Sequence, residues 1–213
     1  MTPEKFIQMA TKEVRAAGMK VIISKGRWVS VGGDSAYAGY FDETEDKGVL
    51  KVAAGAIGWF EVFVHEYGHF TQWRDQCRPW RDLKDSCQIF DAWINTGKDF
   101  SDKTVDRAYK AVRNMELDCE RRAVKLIKKF DLPIDVKSYI KKANVYIYYH
   151  AYIRKYRKWY KDTAPYRSKR ICKLMPTVFL GRQKYNVLPE KYEQLVTELC
   201  FKGETNENDH SGK

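Results

Sequence analysis

Three residues that could do metal chemistry lie within five positions of the chain: His65, Glu66 and His69. On an α-helix, residues four apart lie on one face, so both imidazoles could point at a single ion. Glu66 would then lie beside a water molecule that fills an open position on the ion. A zinc-bound water has a pKa near neutrality, and a neighbouring carboxylate can accept its proton. The pattern H-E-x-x-H is therefore typical of zinc-dependent hydrolysis.

The same pattern also arises by chance, because only three of its positions are fixed. Two observations favour a real site. The chain has only four histidines, at positions 65, 69, 150 and 210, and two of them fall in the motif. The residues from Trp59 to Val64 are mostly apolar, which is typical of a buried helix with an active site on one face. We predict this helix over residues 58–76.

Two histidines leave a catalytic zinc site short of its third protein ligand. Glu116 and Glu120 are four apart on a helix that we predict up to about residue 130, so they share a face. We expect Glu116 to be the ligand and Glu120 to orient a ligand histidine. Glu120 as the ligand is one alternative, and a surface face of Glu–Arg pairs is another.

The two motifs together resemble the gluzincin metallopeptidases, which carry H-E-x-x-H on one helix and E-x-x-x-D/N on a later one. The resemblance is nearest to ImmA/IrrE-type and related phage-encoded proteins, whose second motif is E-x-x-A-N-x-F-A. The matching positions here are Glu116, Cys119, Glu120, Arg122 and Ala123, and the middle three of these depart from that motif. The resemblance covers about residues 37–130. It implies a peptidase with one Zn²⁺ ion, Glu116 as its third ligand, Glu120 behind a histidine, and Glu66 as the general base.

The resemblance also implies where a peptide or protein substrate binds. In such enzymes an edge strand leads toward the motif helix and pairs with extended substrate. The strand expected in that place consists of Val49, Leu50, Lys51, Val52 and Ala53. An oxyanion stabiliser is also expected, and the candidates are Tyr148, Tyr149 and His150. For these three residues, core packing of an aromatic stripe is the alternative.

Composition bounds the fold and the location. A chain of 213 residues that is 44% apolar and 14% aromatic is long enough for a real core. We predict an α+β fold with a small N-terminal β-sheet packed on a mainly helical body. We expect one domain over 1–202, with its core at 37–130, a basic helical part at 135–202 and a disordered tail at 203–213. No apolar run reaches the ~20 residues of a membrane helix, so we expect no membrane partner.

Five cysteines without a C-x-x-C pair fit reduced thiols in the cytoplasm, which would be the host cytoplasm for a phage-encoded protein. The net charge of +11 is concentrated in one region. Residues 137–184 contain fourteen Lys and Arg and one acid, Asp162, which leaves about +13. Such a region attracts anionic partners, and we expect weak polyanion binding there. A non-enzymatic nucleic-acid or protein binding module, with a structural or vestigial metal site, is the alternative function.

Overall fold

The computed structural model describes residues 1–30, 36–83, 85–160 and 163–201. The described residues are mainly helical, with a three-stranded sheet and a two-stranded sheet near the N-terminus. The predicted α+β class is therefore confirmed. The predicted disordered tail at 203–213 lies outside the described residues.

The strands are β1 (Lys20–Ser24), β2 (Val29–Ser30), β3 (Ala36–Tyr37), β4 (Gly39–Asp42) and β5 (Val49–Ala53). The helices are α1 (Pro3–Ala16), α2 (Trp59–Arg74), α3 (Arg78–Leu83), α4 (Ser86–Asn95), α5 (Asp102–Lys129), α6 (Val136–Tyr156), α7 (Lys169–Cys172) and α8 (Glu190–Cys200). The helix predicted over 58–76 is α2, and the chain between residues 77 and 102 contains α3 and α4. Helix α6 ends at Tyr156, because Arg157 has a φ of 50°.

The chain divides into two compact units, and their boundaries differ from the division that the sequence suggested. Unit 1 contains residues Met1–Asp82 and Asp118–Val136. Unit 2 contains residues Leu83–Leu117 and Lys137–Lys213. The long helix α5 contributes its first part to unit 2 and its second part to unit 1. The motif helix α2 therefore belongs to unit 1 together with the sheets.

The prediction that Val49–Ala53 forms an edge strand is wrong. The order of the three-stranded sheet is β1-β5-β4, so β5 is its central strand. β5 pairs in parallel with β1 on one side and antiparallel with β4 on the other. Its backbone groups are thus used on both sides, and neither row is left for a peptide. Four of its five residues are buried, as is typical of a central strand.

The edge beside the motif helix is β4 instead. In the described part of the chain, β4 pairs with β5 alone. The backbone N–H of Ala53 donates to the carbonyl of Ala38 at 2.8 Å, so residue 38 points its backbone toward β5. Because backbone direction alternates along a strand, Gly39 and Phe41 direct their N–H and C=O groups away from β5. Among the described residues, no further strand pairs with this edge.

Helix α2 is held in the centre of unit 1. It begins after Gly58, whose φ of 74° lies in the left-handed region. From Glu66 to Gln72 every residue is buried, and the helix packs on β4, β5 and α1. From α1, the ring of Phe6 makes edge contacts with Phe63 and Tyr67 at 6.3 and 5.7 Å. The helix that carries the motif is therefore rigidly placed against the sheet.

Unit 2 has an aromatic core built on α6. Buried side chains from α4, α5, α6 and α8 meet there, and several of them are tyrosines. Tyr149 and Tyr152 are 0% and 1% exposed, and their rings stack at 5.7 Å. The hydroxyl of buried Tyr192 donates to the carbonyl of Val145 at 2.9 Å, so this polar atom stays hydrogen-bonded inside the core.

Candidate metal centre

The two motif histidines face each other. Their Nε2 atoms are 3.0 Å apart, and their rings are nearly perpendicular, with centroids 4.6 Å apart. His69 is buried and His65 is partly buried. Zinc–nitrogen bonds of 2.0–2.1 Å in a tetrahedral site separate two ligand nitrogens by roughly 3.3 Å. The observed separation is close to that value, so one ion could be bound by both nitrogens after a small adjustment.

The other nitrogen of each ring faces an oxygen. Nδ1 of His69 lies 2.9 Å from Oε1 of Gln72, an amide oxygen that can only accept. Nδ1 of His65 lies 3.3 Å from Oε1 of Glu120. Both Nδ1 atoms are thus placed to carry protons, which leaves a lone pair on each Nε2. Two lone pairs at this distance repel each other unless a cation or a proton lies between them.

Electrostatics at His65 also favour positive charge. Burial by itself lowers the pKa of this imidazole, because it penalises the charged form. Interactions with Cys119 and with the carboxylate of Glu120 raise it, and the net pKa is well above the usual histidine value. The surroundings of this ring are therefore suited to a cation. The Oε2 atom of Glu120 is buried and accepts no hydrogen bond from the part of the chain that the structure describes.

Glu66 is next to the edge strand β4. The side chain is 6% exposed. A methyl group added at Gly39 would lie 3.2 Å from Cγ of Glu66 and 2.7 Å from Cγ1 of Val62. Only a residue without a side chain allows β4 to pass this close to the motif helix. The glutamate that the sequence assigns as the base therefore lies directly under the open edge.

Cys119 is close to the histidines, and the sequence did not single it out for a role. The donor atoms of His65, His69 and Cys119 all lie within 4.8 Å of one another. The Cys119 thiol donates to the backbone carbonyl of His65 at 3.2 Å, and its sulfur is 3.8 Å from Nδ1 of that ring. This is the side of the ring away from the Nε2 that faces His69. The sulfur of Cys119 is therefore better placed to contact His65 than to bind an ion directly.

Gly68 explains how Cys119 comes so near. A Cβ at this position would lie 2.9 Å from the Cys119 sulfur. Helices α2 and α5 are therefore in close contact between the two histidines, and a side chain at Gly68 would separate them. In the sequence, the signal for this contact was a glycine inside an otherwise regular helix.

Nothing in the sequence indicated a role for Gln72, although this residue lies three positions after His69 and hence on the same face of α2. Its side chain is fully buried, and its Nε2 donates to Oδ2 of Asp118 at 2.9 Å. The same carboxylate oxygen accepts from Nε of Arg122, also at 2.9 Å. Burial raises the pKa of Asp118, but the hydrogen bonds from Gln72 and Arg122 outweigh it, and the pKa lies below the usual value. A chain of hydrogen bonds thus fixes the amide oxygen that His69 faces.

Glu116 belongs to unit 2 and is buried at 8% exposure. It lies one turn before Glu120 on α5, so the shared face predicted for the two glutamates holds as a property of the helix. Within unit 2, the charge of Glu116 acts on His150. Its role as third ligand stays a prediction.

The three candidates for an oxyanion stabiliser, Tyr148, Tyr149 and His150, all lie on α6 in unit 2. The ring of Tyr148 packs against Tyr185 and Tyr192, at 5.0 and 5.6 Å. The hydroxyl of Tyr149 donates to the carbonyl of Lys158 at 3.3 Å. Both tyrosines therefore pack in the core of unit 2, which was the alternative.

His150 is 2% exposed, and its Nδ1 lies 3.1 Å from the carbonyl of Tyr146. Burial lowers its pKa below the usual value, against the opposing charge of Glu116. Burial therefore favours the neutral form of this ring. With its one proton on Nδ1, Nε2 can only accept a hydrogen bond and cannot donate to an oxyanion. The oxyanion stabiliser thus has no placed candidate among these three residues.

At least four of the fourteen basic residues of the basic region form ion pairs inside unit 2. Arg154 pairs with Asp102 and Asp106 at 2.9 and 2.7 Å. Other ion pairs in this unit join Lys155 with Glu193, Arg157 with Asp99, and Arg170 with Glu198. The acids lie outside residues 137–184, so the local excess of about +13 overstates the field. Weak polyanion binding stays a prediction.

Of the rings in the basic region, Tyr156 and Trp159 are 38% and 37% exposed, whereas Tyr149 is fully buried.

None of the five cysteines, all within the described residues, forms a disulfide. The described helices also lack one that is both long and apolar enough to cross a membrane.

No family model, curated protein or solved structure matches this chain. Its function must therefore be argued from its own residues.

Proposed function

We propose that this chain is a zinc-dependent metallopeptidase of the gluzincin type, resembling ImmA/IrrE-like and phage-encoded proteins. The observation that carries the proposal is the pair of Nε2 atoms of His65 and His69, 3.0 Å apart, with both Nδ1 atoms facing oxygens. A proton shared between the rings would also relieve the repulsion. The neighbouring motif glutamate at an open strand edge is what favours a catalytic ion over that alternative.

His65 and His69 would hold the ion with Glu116 as the third ligand. Zinc in such a site lowers the pKa of a bound water and polarises a carbonyl group. Glu66 accepts a proton as general base and passes it to the leaving amine of the cleaved peptide. Glu120 and Gln72 act behind the ligands, because each fixes the ring orientation of one histidine.

The substrate in this proposal is an extended peptide or an unfolded protein segment. The open backbone groups of Gly39 and Phe41 on β4 take the role that the sequence assigned to residues 49–53. Pairing with a strand edge binds peptide through its main chain and does not depend on sequence. Since Gly39 lies against Glu66, a peptide on this edge would pass beside the general base. A cytoplasmic location, in the host when the gene is phage-borne, is part of the same proposal.

The ion pairs of unit 2 give no support to the alternative of a dedicated nucleic-acid binding module. They neutralise several of the bases that would contact phosphates. Stoichiometric zinc would exclude a vestigial site but not a structural one, and a loss of hydrolysis in zinc-loaded Glu66→Gln separates a catalytic site from a structural one.

The test is the zinc content of purified protein. We expect about one zinc per chain in the wild type and in Glu66→Gln, and none in His65→Ala or His69→Ala. His210→Ala is the control, because it removes a histidine outside the motif. Zinc retained by both motif variants would refute the site. Release of zinc by Glu66→Gln would make Glu66 a ligand and not a base.

A further inference from the structure

A cluster of aromatic side chains lies beside His69 in unit 1 and has no part in the chemistry described above. Phe41 comes from β4, Trp73 from α2 and Trp80 from α3. The ring centroid of Trp80 is 5.8 Å from that of Phe41 and 6.3 Å from that of His69. Phe41 is also 6.5 Å from Trp73. The three rings thus form one surface that reaches a proposed metal ligand.

These rings are half-buried, unlike the aromatic residue beneath them. Phe70 is 1% exposed and contacts Phe41 and Trp73 at 6.1 and 5.9 Å. It therefore supports the cluster from the core side, while each of the three outer rings keeps part of its surface exposed. Aromatic rings bury large apolar areas when a ligand covers them, so a partly exposed group of three is suited to binding an apolar side chain.

The position of Phe41 links the cluster to the strand edge. Its backbone groups point away from β5, toward any peptide that pairs with β4. Its side chain lies on the face of the sheet that contacts α2, as its approach to Phe70 shows. Directly opposite residues of paired strands put their side chains on the same face. A peptide residue paired opposite Phe41 would therefore direct its side chain toward the rings of Phe41 and Trp80.

We propose that Phe41, Trp73 and Trp80 form a subsite for an aromatic or large aliphatic side chain of an extended peptide. This inference rests on the proposed function, and it narrows the substrate class to segments that are apolar and normally buried in folded proteins. The rings offer a carboxylate or a strongly polar neutral side chain no compensation for its lost hydration, so such side chains are disfavoured.

The test compares two fluorescently labelled octapeptides that differ at one central residue, Phe in one and Ser in the other. Binding is measured by anisotropy to Glu66→Gln loaded with zinc, so that no cleavage occurs. We expect the Phe peptide to bind about 10-fold to 100-fold more tightly, which is the range for one apolar side chain in a pocket. Trp80→Ala should reduce this preference to a few-fold, and Trp80→Phe should keep most of it.

Trp28→Ala is the matched control, since it removes a tryptophan of unit 1 that is 53% exposed and outside the cluster. It should leave the preference unchanged. Equal binding of the two peptides, or binding of neither, overturns the subsite, and this comparison needs no substitution in the cluster. A preference that persists in a folded Trp80→Ala overturns it as well.

Failure of the proposed function gives a different pattern. A protein without zinc and without hydrolysis, but with a preference that depends on Trp80, would keep the subsite and exclude the peptidase. Hydrolysis of the Phe and Ser peptides at equal rates would support the peptidase and exclude the subsite.

Discussion

The hydrogen bond from His69 to Gln72 predicts a specific effect of Gln72→Met. The substitution keeps a long, unbranched side chain at a fully buried position and removes the amide oxygen 2.9 Å from Nδ1. Leaving a buried donor without its acceptor lowers the stability of the folded state by about 1–3 kcal/mol. The ring can avoid this cost by moving its proton to Nε2, but that nitrogen then has no lone pair for zinc. Either outcome weakens metal binding.

The expected loss of zinc affinity is about 10-fold to 100-fold, the usual effect of removing a group that orients a ligand. At 1.4 kcal/mol per factor of ten, this is about 1.4–2.8 kcal/mol, which agrees with the cost of the lost hydrogen bond. The zinc-free protein should lose less stability than this, because the tautomer change is open to it. Asp118 also keeps its hydrogen bond from Arg122.

The measurement is a zinc competition titration against a chromophoric chelator, with urea unfolding of the zinc-free protein in parallel. Gln8→Met is the control, because Gln8 is exposed on α1 of the same unit. An unchanged zinc affinity in a folded Gln72→Met would show that Gln72 does not hold the ring. A loss of stability without a loss of affinity would give the residue a purely structural role.

Three further predictions test other contacts of the site. Gly68→Ala should lower the free energy of unfolding by about 1–3 kcal/mol, because its Cβ would lie 2.9 Å from the Cys119 sulfur. Cys119→Ala should restore part of this in a double-mutant cycle, and additive effects would deny the contact. Gly39→Ala should lower the rate of peptide hydrolysis while zinc content stays constant, since it displaces β4 from the motif helix; an unchanged rate would refute this. Glu116→Ala should weaken zinc binding more than Glu120→Ala does, and the reverse order in the same titration would exchange their roles.

The sequence predicted the elements of this fold well where periodicity was strong. The helix predicted over 58–76 is observed at Trp59–Arg74, and the helix predicted up to about residue 130 ends at Lys129. The sheet order was not accessible in the same way, because a short apolar run such as Val49–Ala53 does not show which strands pair beside it. Only the register shows that β5 is flanked on both sides. For that reason the substrate edge was assigned to the wrong strand.

Within the candidate site, the sequence located the residues of the motif but not those behind them. A spacing of four identifies His65 and His69 as neighbours on one face. The partners of their Nδ1 atoms depend on how α2 packs on itself and on α5, which spacing alone does not give. The close approach at Gly68 and the buried amide of Gln72 belong to that packing. The aromatic stripe around Tyr149 was likewise ambiguous until its burial was known.

The central claim is that Glu66 acts as a base beside a metal ion, and hydrolysis of an unfolded protein substrate tests it most directly. Zinc-loaded wild type and zinc-loaded Glu66→Gln are compared in one assay, with the metal content of each sample verified. We expect the wild type to cleave the substrate and Glu66→Gln to be about 10²-fold to 10⁴-fold slower, the usual contribution of a general base. Equal rates, or no cleavage by a wild type that holds one zinc, would contradict the account.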